Sequence, residues 1–123
     1  MKMVHTCIRV KDLTKSLAFY KEALNFEEVS RKDYPEYKFT LVYLSLPGDP
    51  YQLELTYNYD YTGYDLGDGY GHIAISVADV LSSHEAHKAA GFETTDLKGL
   101  PDSAFRYYFI MDPDGYKIEV VPE

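Results

Sequence analysis

His5-Thr6-Cys7-Ile8-Arg9-Val10-Lys11-Asp12 has a partner further along the chain, His72-Ile73-Ala74-Ile75-Ser76-Val77-Ala78-Asp79. The histidine, Ile8/Ile75, Val10/Val77 and the aspartate all match at an offset of 67. Working outward, Asn25-Phe26-Glu27 corresponds to Gly91-Phe92-Glu93, after a slip of one residue. Each half then closes on an apolar-Glu-apolar run, Leu53-Glu54-Leu55 and Ile118-Glu119-Val120. The spacing from histidine to glutamate is 49 residues in the first half and 47 in the second. The economical reading is an internal duplication within a single domain spanning 1–123. Module 1 covers about 1–58, a linker 59–69, and module 2 about 70–123. A module of about sixty residues buries too little surface for a secure core of its own. The halves are therefore expected to pack together or to pair with a second chain.

Both halves carry the same pattern of elements. Residues 2–10 alternate and read as a strand. Asp12 or Thr14 can open a helix, with Leu13, Leu17, Tyr20 and Leu24 on one face and Asn25 as a left-handed stop. Strands follow over 27–32, 37–46 and 51–58, the last two joined by Pro47-Gly48-Asp49-Pro50. The second half predicts a strand over 70–78, a helix over 80–90 ended by Gly91, and strands near 92–96, 104–111 and 116–121. Asp112-Pro113-Asp114-Gly115 makes the last hairpin turn. Each module is β-α-β-β-β, joined by a linker rich in Tyr, Gly and Asp.

Composition removes several classes of function. The 123 residues are 46% hydrophobic and 26% charged, which suits a folded chain. A net charge of −8 disfavours phosphate backbones and anionic lipid surfaces, so neither nucleic acid nor membrane is an expected partner. The one cysteine, Cys7, allows no internal disulfide and no thiolate cluster. No apolar run approaches the roughly 20 residues that span a bilayer. The start, Met1-Lys2-Met3-Val4-His5, turns polar at once. A cytoplasmic location is the resulting expectation.

The residues that carry chemistry are His5, Glu54, His72 and Glu119. Side chains alternate across a strand. Ile8 and Val10 take one face of the first strand, so His5, Cys7 and Arg9 take the other. Leu53 and Leu55 leave Glu54, Thr56 and Asn58 together on the opposite face. The same parity separates His72 from Ile73 and Ile75, and Glu119 from Ile118 and Val120. Each module thus presents one imidazole and one carboxylate on the face away from its helix. A single strand histidine or glutamate is most often a solvated residue. A solvated face has no reason to repeat the same chemistry at the same register. If the two faces close on each other, two nitrogen and two oxygen donors meet. A divalent cation removes the repulsion between the carboxylates. Octahedral geometry would leave two positions open for catalysis.

His84 and His87 have the spacing of a helical metal pair. In the duplication they replace Leu17 and Tyr20, so they are expected behind the sheet, away from the metal. Cys7, on the histidine face, reads as a small buried hydrophobe.

Several segments resemble glyoxalase I (lactoylglutathione lyase) of the vicinal-oxygen-chelate superfamily. They are His5 to Leu13, Ser16-Leu17-Ala18-Phe19-Tyr20, Leu53-Glu54-Leu55-Thr56-Tyr57-Asn58, Tyr70-Gly71-His72-Ile73-Ala74-Ile75-Ser76-Val77 and Asp112-Pro113-Asp114-Gly115-Tyr116-Lys117-Ile118-Glu119. They extend over nearly the whole chain. The resemblance implies an α+β fold of two βαβββ modules paired across a homodimer. It implies a metal set of His5, Glu54, His72 and Glu119, with one His/Glu pair from each chain at each site. Nickel or cobalt is favoured, and zinc also suits the donors. The implied substrate is the hemithioacetal of methylglyoxal with glutathione as cosubstrate, and the product is S-lactoylglutathione. Arg9 and Asn58 would hold the glutamyl carboxylate of the thiol, and the strand parity agrees with that grouping. Proton transfer would pass through an enediolate, with Glu119 as base and Glu54 the second candidate.

Other chemistries share this fold family. Extradiol dioxygenases use two histidines and one carboxylate, so Glu54 argues against them. An epimerase acting on an acyl-CoA, a thiol transferase and a drug-sequestering binding protein are the remaining rivals. Such binders need no metal ligands.

Overall fold

The structure, a computed structural model, describes residues Met1–Glu123. In chain order its elements are β1 (His5–Val10), α1 (Leu13–Leu24), β2 (Glu27–Tyr34), β3 (Phe39–Ser45), β4 (Gln52–Asn58), β5 (Ile73–Val77), α2 (Val80–Ala89), β6 (Lys98–Gly99), β7 (Arg106–Met111) and β8 (Lys117–Pro122). The chain divides into two compact units, Met1–Asp65 and Leu66–Glu123. Each repeats the βαβββ order, and the fold is α+β. No helix is long and apolar enough to cross a membrane.

In the first unit the strand order is β1-β4-β3-β2. β1 runs parallel to β4, and β3 pairs antiparallel with both β4 and β2. Ile8, Val10, Val42, Leu44, Leu53 and Leu55 are buried on one face of this sheet. α1 contributes Ser16, Phe19, Tyr20 and Leu24 to the buried set. The buried helical stripe is thus centred on Ser16, Phe19 and Tyr20; Leu13 and Leu17, expected on one face with Tyr20 and Leu24, are only half-buried. Ser16 and Tyr20 are almost fully buried, and the Phe19 and Tyr20 rings meet edge-on at 5.1 Å. Asp12 caps the helix by accepting from the Lys15 backbone N–H at 3.1 Å. Asn25, at φ 59°, ends it as expected, and the Phe26 N–H returns to the Tyr20 carbonyl at 3.0 Å.

In the second unit the order is β5-β8-β7-β6. β5 is parallel to β8, which pairs antiparallel with β7. Asp79 caps α2 and Gly91, at φ 86°, follows its end. The hairpin 112–115 forms as expected. Asp112, buried, accepts from the Asp114 and Tyr116 backbone N–H groups at 2.9 Å, and Gly115 supplies φ 91°. The strand expected over 92–96 is replaced by a single bridge, Thr94 to Ile110, and by the two-residue β6 further on. Side chains have taken over ladder positions there. The Phe109 N–H donates to Thr95 Oγ1 at 3.0 Å, and His84 Nε2 meets the Thr95 carbonyl at 2.8 Å. The strands expected from residues 2 and 70 begin later, at His5 and Ile73.

β4 lies between β1 and β3, so its inward side chains anchor the unit. Leu55→Ala, which empties a site with 0% exposure, is expected to cost about 2–5 kcal/mol by denaturant unfolding.

Candidate metal centre

The parallel register of β1 and β4 places Cys7 opposite Glu54 and Arg9 opposite Thr56. The antiparallel register of β3 and β4 places Tyr43 opposite Glu54 from the other side. Since Val42 and Leu44 are buried in the core, Tyr43 must stand on the other face, with His5, Cys7, Arg9, Glu54, Thr56 and Asn58. His5 Nε2 lies 3.7 Å from Glu54 Oε1.

Glu54 is closely held. Tyr43 donates its hydroxyl to Oε1 at 2.6 Å and Thr56 donates to Oε2 at 2.8 Å. Burial raises the carboxyl's pKa, but hydrogen bonds from Cys7, Tyr43 and Thr56 and the charge of His5 outweigh it and hold the group below its ordinary value. The same hydrogen bond, with burial, pushes the Tyr43 phenol up to about 12. Cys7 corrects an expectation: it is exposed rather than buried, with Sγ 3.2 Å from Thr56 Oγ1. Partial desolvation against the sheet and the hydrogen bond with Glu54 raise its pKa.

In the second unit, His72 stands one residue before β5 rather than inside it. Its side chain still reaches the face of Glu119, with Nε2 3.1 Å from Oε2. Ala74 is opposite Glu119 on β5 and Phe109 is opposite it on β7. Ile118 and Val120 are buried, as their alternation requires.

The structure therefore brings His5 to Glu54 and His72 to Glu119. No group of three or more His, Cys, Asp and Glu side chains is placed so that it could hold a metal ion. Two donors each about 2.1 Å from one ion, in neighbouring coordination positions, stand about 3 Å apart. Separations of 3.7 and 3.1 Å in the two pairs fit two halves of such a set. Imidazole and carboxylate donors suit a borderline divalent ion. Arg9 lies exposed on the histidine face of β1. Asn58 ends β4 and donates Nδ2–H to the Tyr64 hydroxyl at 2.9 Å.

His84 and His87 take the position the duplication assigns. His84 is buried, with its ring 4.8 Å from that of Tyr108, and His87 Nδ1 meets the Tyr108 hydroxyl at 2.7 Å. Tyr43 is the site residue that reading the sequence for ligands misses. Its signal was available: a β3–β4 turn centred on Gly48 and Asp49 sets residue 43 against residue 54. His84→Ala should lower stability by about 2–4 kcal/mol through lost packing and a lost hydrogen bond. Metal content by atomic absorption should stay unchanged.

Comparison with known proteins agrees with this fold. The model of the Glyoxalase/Bleomycin resistance protein/Dioxygenase superfamily matches residues 2–120. A lactoylglutathione lyase of Neisseria meningitidis is 42% identical, over 98% of this chain and 90% of its own length. The solved structure of the trypanothione-dependent glyoxalase I of Leishmania major is similar at 40% identity. Its TM-score is 0.86, covering all of this chain and 87% of that one. Glyoxalase I from Zea mays superposes with a TM-score of 0.91 at 32% identity, over 99% of this chain. This chain spans only 44% of the maize protein. A βαβββ duplication, paired His/Glu donors and this breadth of similarity place the chain in the Glyoxalase/Bleomycin resistance protein/Dioxygenase superfamily.

Proposed function

We propose that the protein is a metal-dependent lyase of the glyoxalase I type. It converts the hemithioacetal of methylglyoxal and glutathione into S-lactoylglutathione. The observation that carries this reading is the repeated His/Glu pair, one per unit, in a chain about 40% identical to lactoylglutathione lyases. His5, Glu54, His72 and Glu119 are the metal ligands. Each pair alone offers only two donors, which favours a homodimer whose sites draw one pair from each chain. Nickel or cobalt is the expected ion, with zinc a further fit to the donors, and the cell compartment is the cytoplasm.

When bound, the dication supplies positive charge beside the substrate oxygens, which stabilises negative charge arising there. The chain's own groups do the rest. Arg9 and Asn58 share the ligand face and hold the glutamyl carboxylate of the thiol. Glu119 takes the proton from the carbon bearing sulfur and hydroxyl, and returns it to the neighbouring carbonyl carbon. The hydroxyl proton crosses to the other oxygen. The hemithioacetal thus becomes a thioester and an alcohol with no change in overall oxidation state.

Ultraviolet absorbance of the thioester tests this directly, with methylglyoxal and glutathione and with Ni, Co, Zn or Mn added in turn. Turnover is expected with glutathione, highest with Ni or Co. No thioester with any metal or thiol would sink the reading. Glu119→Gln should keep its metal while losing about 10²- to 10⁴-fold in kcat. Two inactive variants, His5→Ala and Glu119→Gln, should regain activity when unfolded and refolded together. In the mixed dimer one site then receives both intact pairs. Sites built within one chain would show no such recovery.

A further inference from the structure

The two half-sites share a backbone plan but not their polar surroundings. Tyr43 faces Glu54 across β3 and β4, and Phe109 faces Glu119 across β7 and β8. Both rings meet their histidine in the same way. Tyr43 stands 5.6 Å from the His5 ring at 76°, and Phe109 stands 5.3 Å from the His72 ring at 72°. Only the hydroxyl differs. Two residues beyond each glutamate, on the same face, the first unit has Thr56 and the second has Val121. Both oxygens of Glu54 accept hydroxyl hydrogen bonds, at 2.6 and 2.8 Å. The Glu119 carboxylate meets His72 at 3.1 Å, and the residues opposite it on the two neighbouring strands, Ala74 and Phe109, carry no hydroxyl. Its side chain is 20% exposed, against 11% for Glu54.

We propose that Tyr43 and Thr56 are positioning residues that clamp Glu54 as the fixed carboxylate of the metal set, and that the missing hydroxyl at Phe109 leaves Glu119 free to move. The inference rests on the metal-dependent reading above. A carboxylate held at both oxygens is a rigid ligand with few conformations to lose on metal binding. A carboxylate edged by Phe109, Ala74 and Val121 can rotate without breaking a hydroxyl hydrogen bond. The asymmetry therefore assigns ligand holding to the first module and proton carrying to the second.

The test titrates Co(II) into the full-length protein against a chromophoric chelator and records the visible Co(II) spectrum. Tyr43→Phe should weaken Co(II) binding about 10- to 100-fold and alter that spectrum, with far-ultraviolet circular dichroism unchanged. Thr56→Val should act in the same direction, and it carries the test if Tyr43→Phe does not fold. Phe109→Tyr adds the absent donor beside Glu119. It should lower kcat about tenfold or more with Co(II) affinity equal or tighter. Wild-type Co(II) affinity and spectrum in both clamp variants would overturn the inference, as would wild-type kcat in Phe109→Tyr. If the unaltered protein binds no Co(II), the metal-dependent reading falls and this inference with it.

Discussion

The parallel pairing of each module's first strand with its last is the constraint on which the site depends. β1 joins β4, and β5 joins β8, from opposite ends of their modules. Parallel partners cannot be joined by a tight turn, so a crossover must intervene. Here it includes the helix and two further strands. The helix shields one sheet face and leaves the other for polar side chains. A histidine near the start of one strand and a glutamate in the middle of the other then reach across neighbouring backbones. A register slip of one residue would turn Glu54 into the core and Leu53 or Leu55 out of it.

The two hairpin turns convert that pairing into a specific environment. The turn at Gly48 and Asp49 sets Tyr43 beside Glu54, and the Asp112 turn sets Phe109 beside Glu119. Backbone geometry is repeated while side-chain chemistry is not. One hydroxyl in an aromatic ring and one threonine in place of valine make one carboxylate rigid and hydrogen-bonded, the other nearly unassisted. Duplication thus supplies matching donors, and later divergence of their neighbours can separate the roles of two otherwise equivalent acids.

The rear of the second sheet shows the same substitution of side chain for backbone. His84 and His87 occupy positions held in the first module by Leu17 and Tyr20. There they bond the Thr95 carbonyl and the Tyr108 hydroxyl. The strand expected over 92–96 dissolves where Thr95 and His84 take hydrogen bonds that a regular ladder would have used. Local alternation could not reveal this, because it tracks which face a side chain takes and not the hydrogen bonds that Thr95 Oγ1 and His84, on the preceding helix, make with the backbone.

Much of the fold was legible in the residues themselves. Repeated His, Ile, Val and Asp positions disclosed the duplication. Asp12, Asp79, Asn25 and Gly91 marked the helix ends, and two-residue alternation separated His5 and Glu54 from Ile8, Leu53 and Leu55. Those signals are local, since they depend on φ/ψ preference and on which side of a pleat a residue falls. Contact across strands decided the rest. It set the exposure of Cys7, the shift of the buried stripe of α1 toward Ser16, the reduction of the strand expected over 92–96 to a single bridge, and the unequal holding of Glu54 and Glu119. These follow from distances between residues far apart in the chain, which periodicity does not encode.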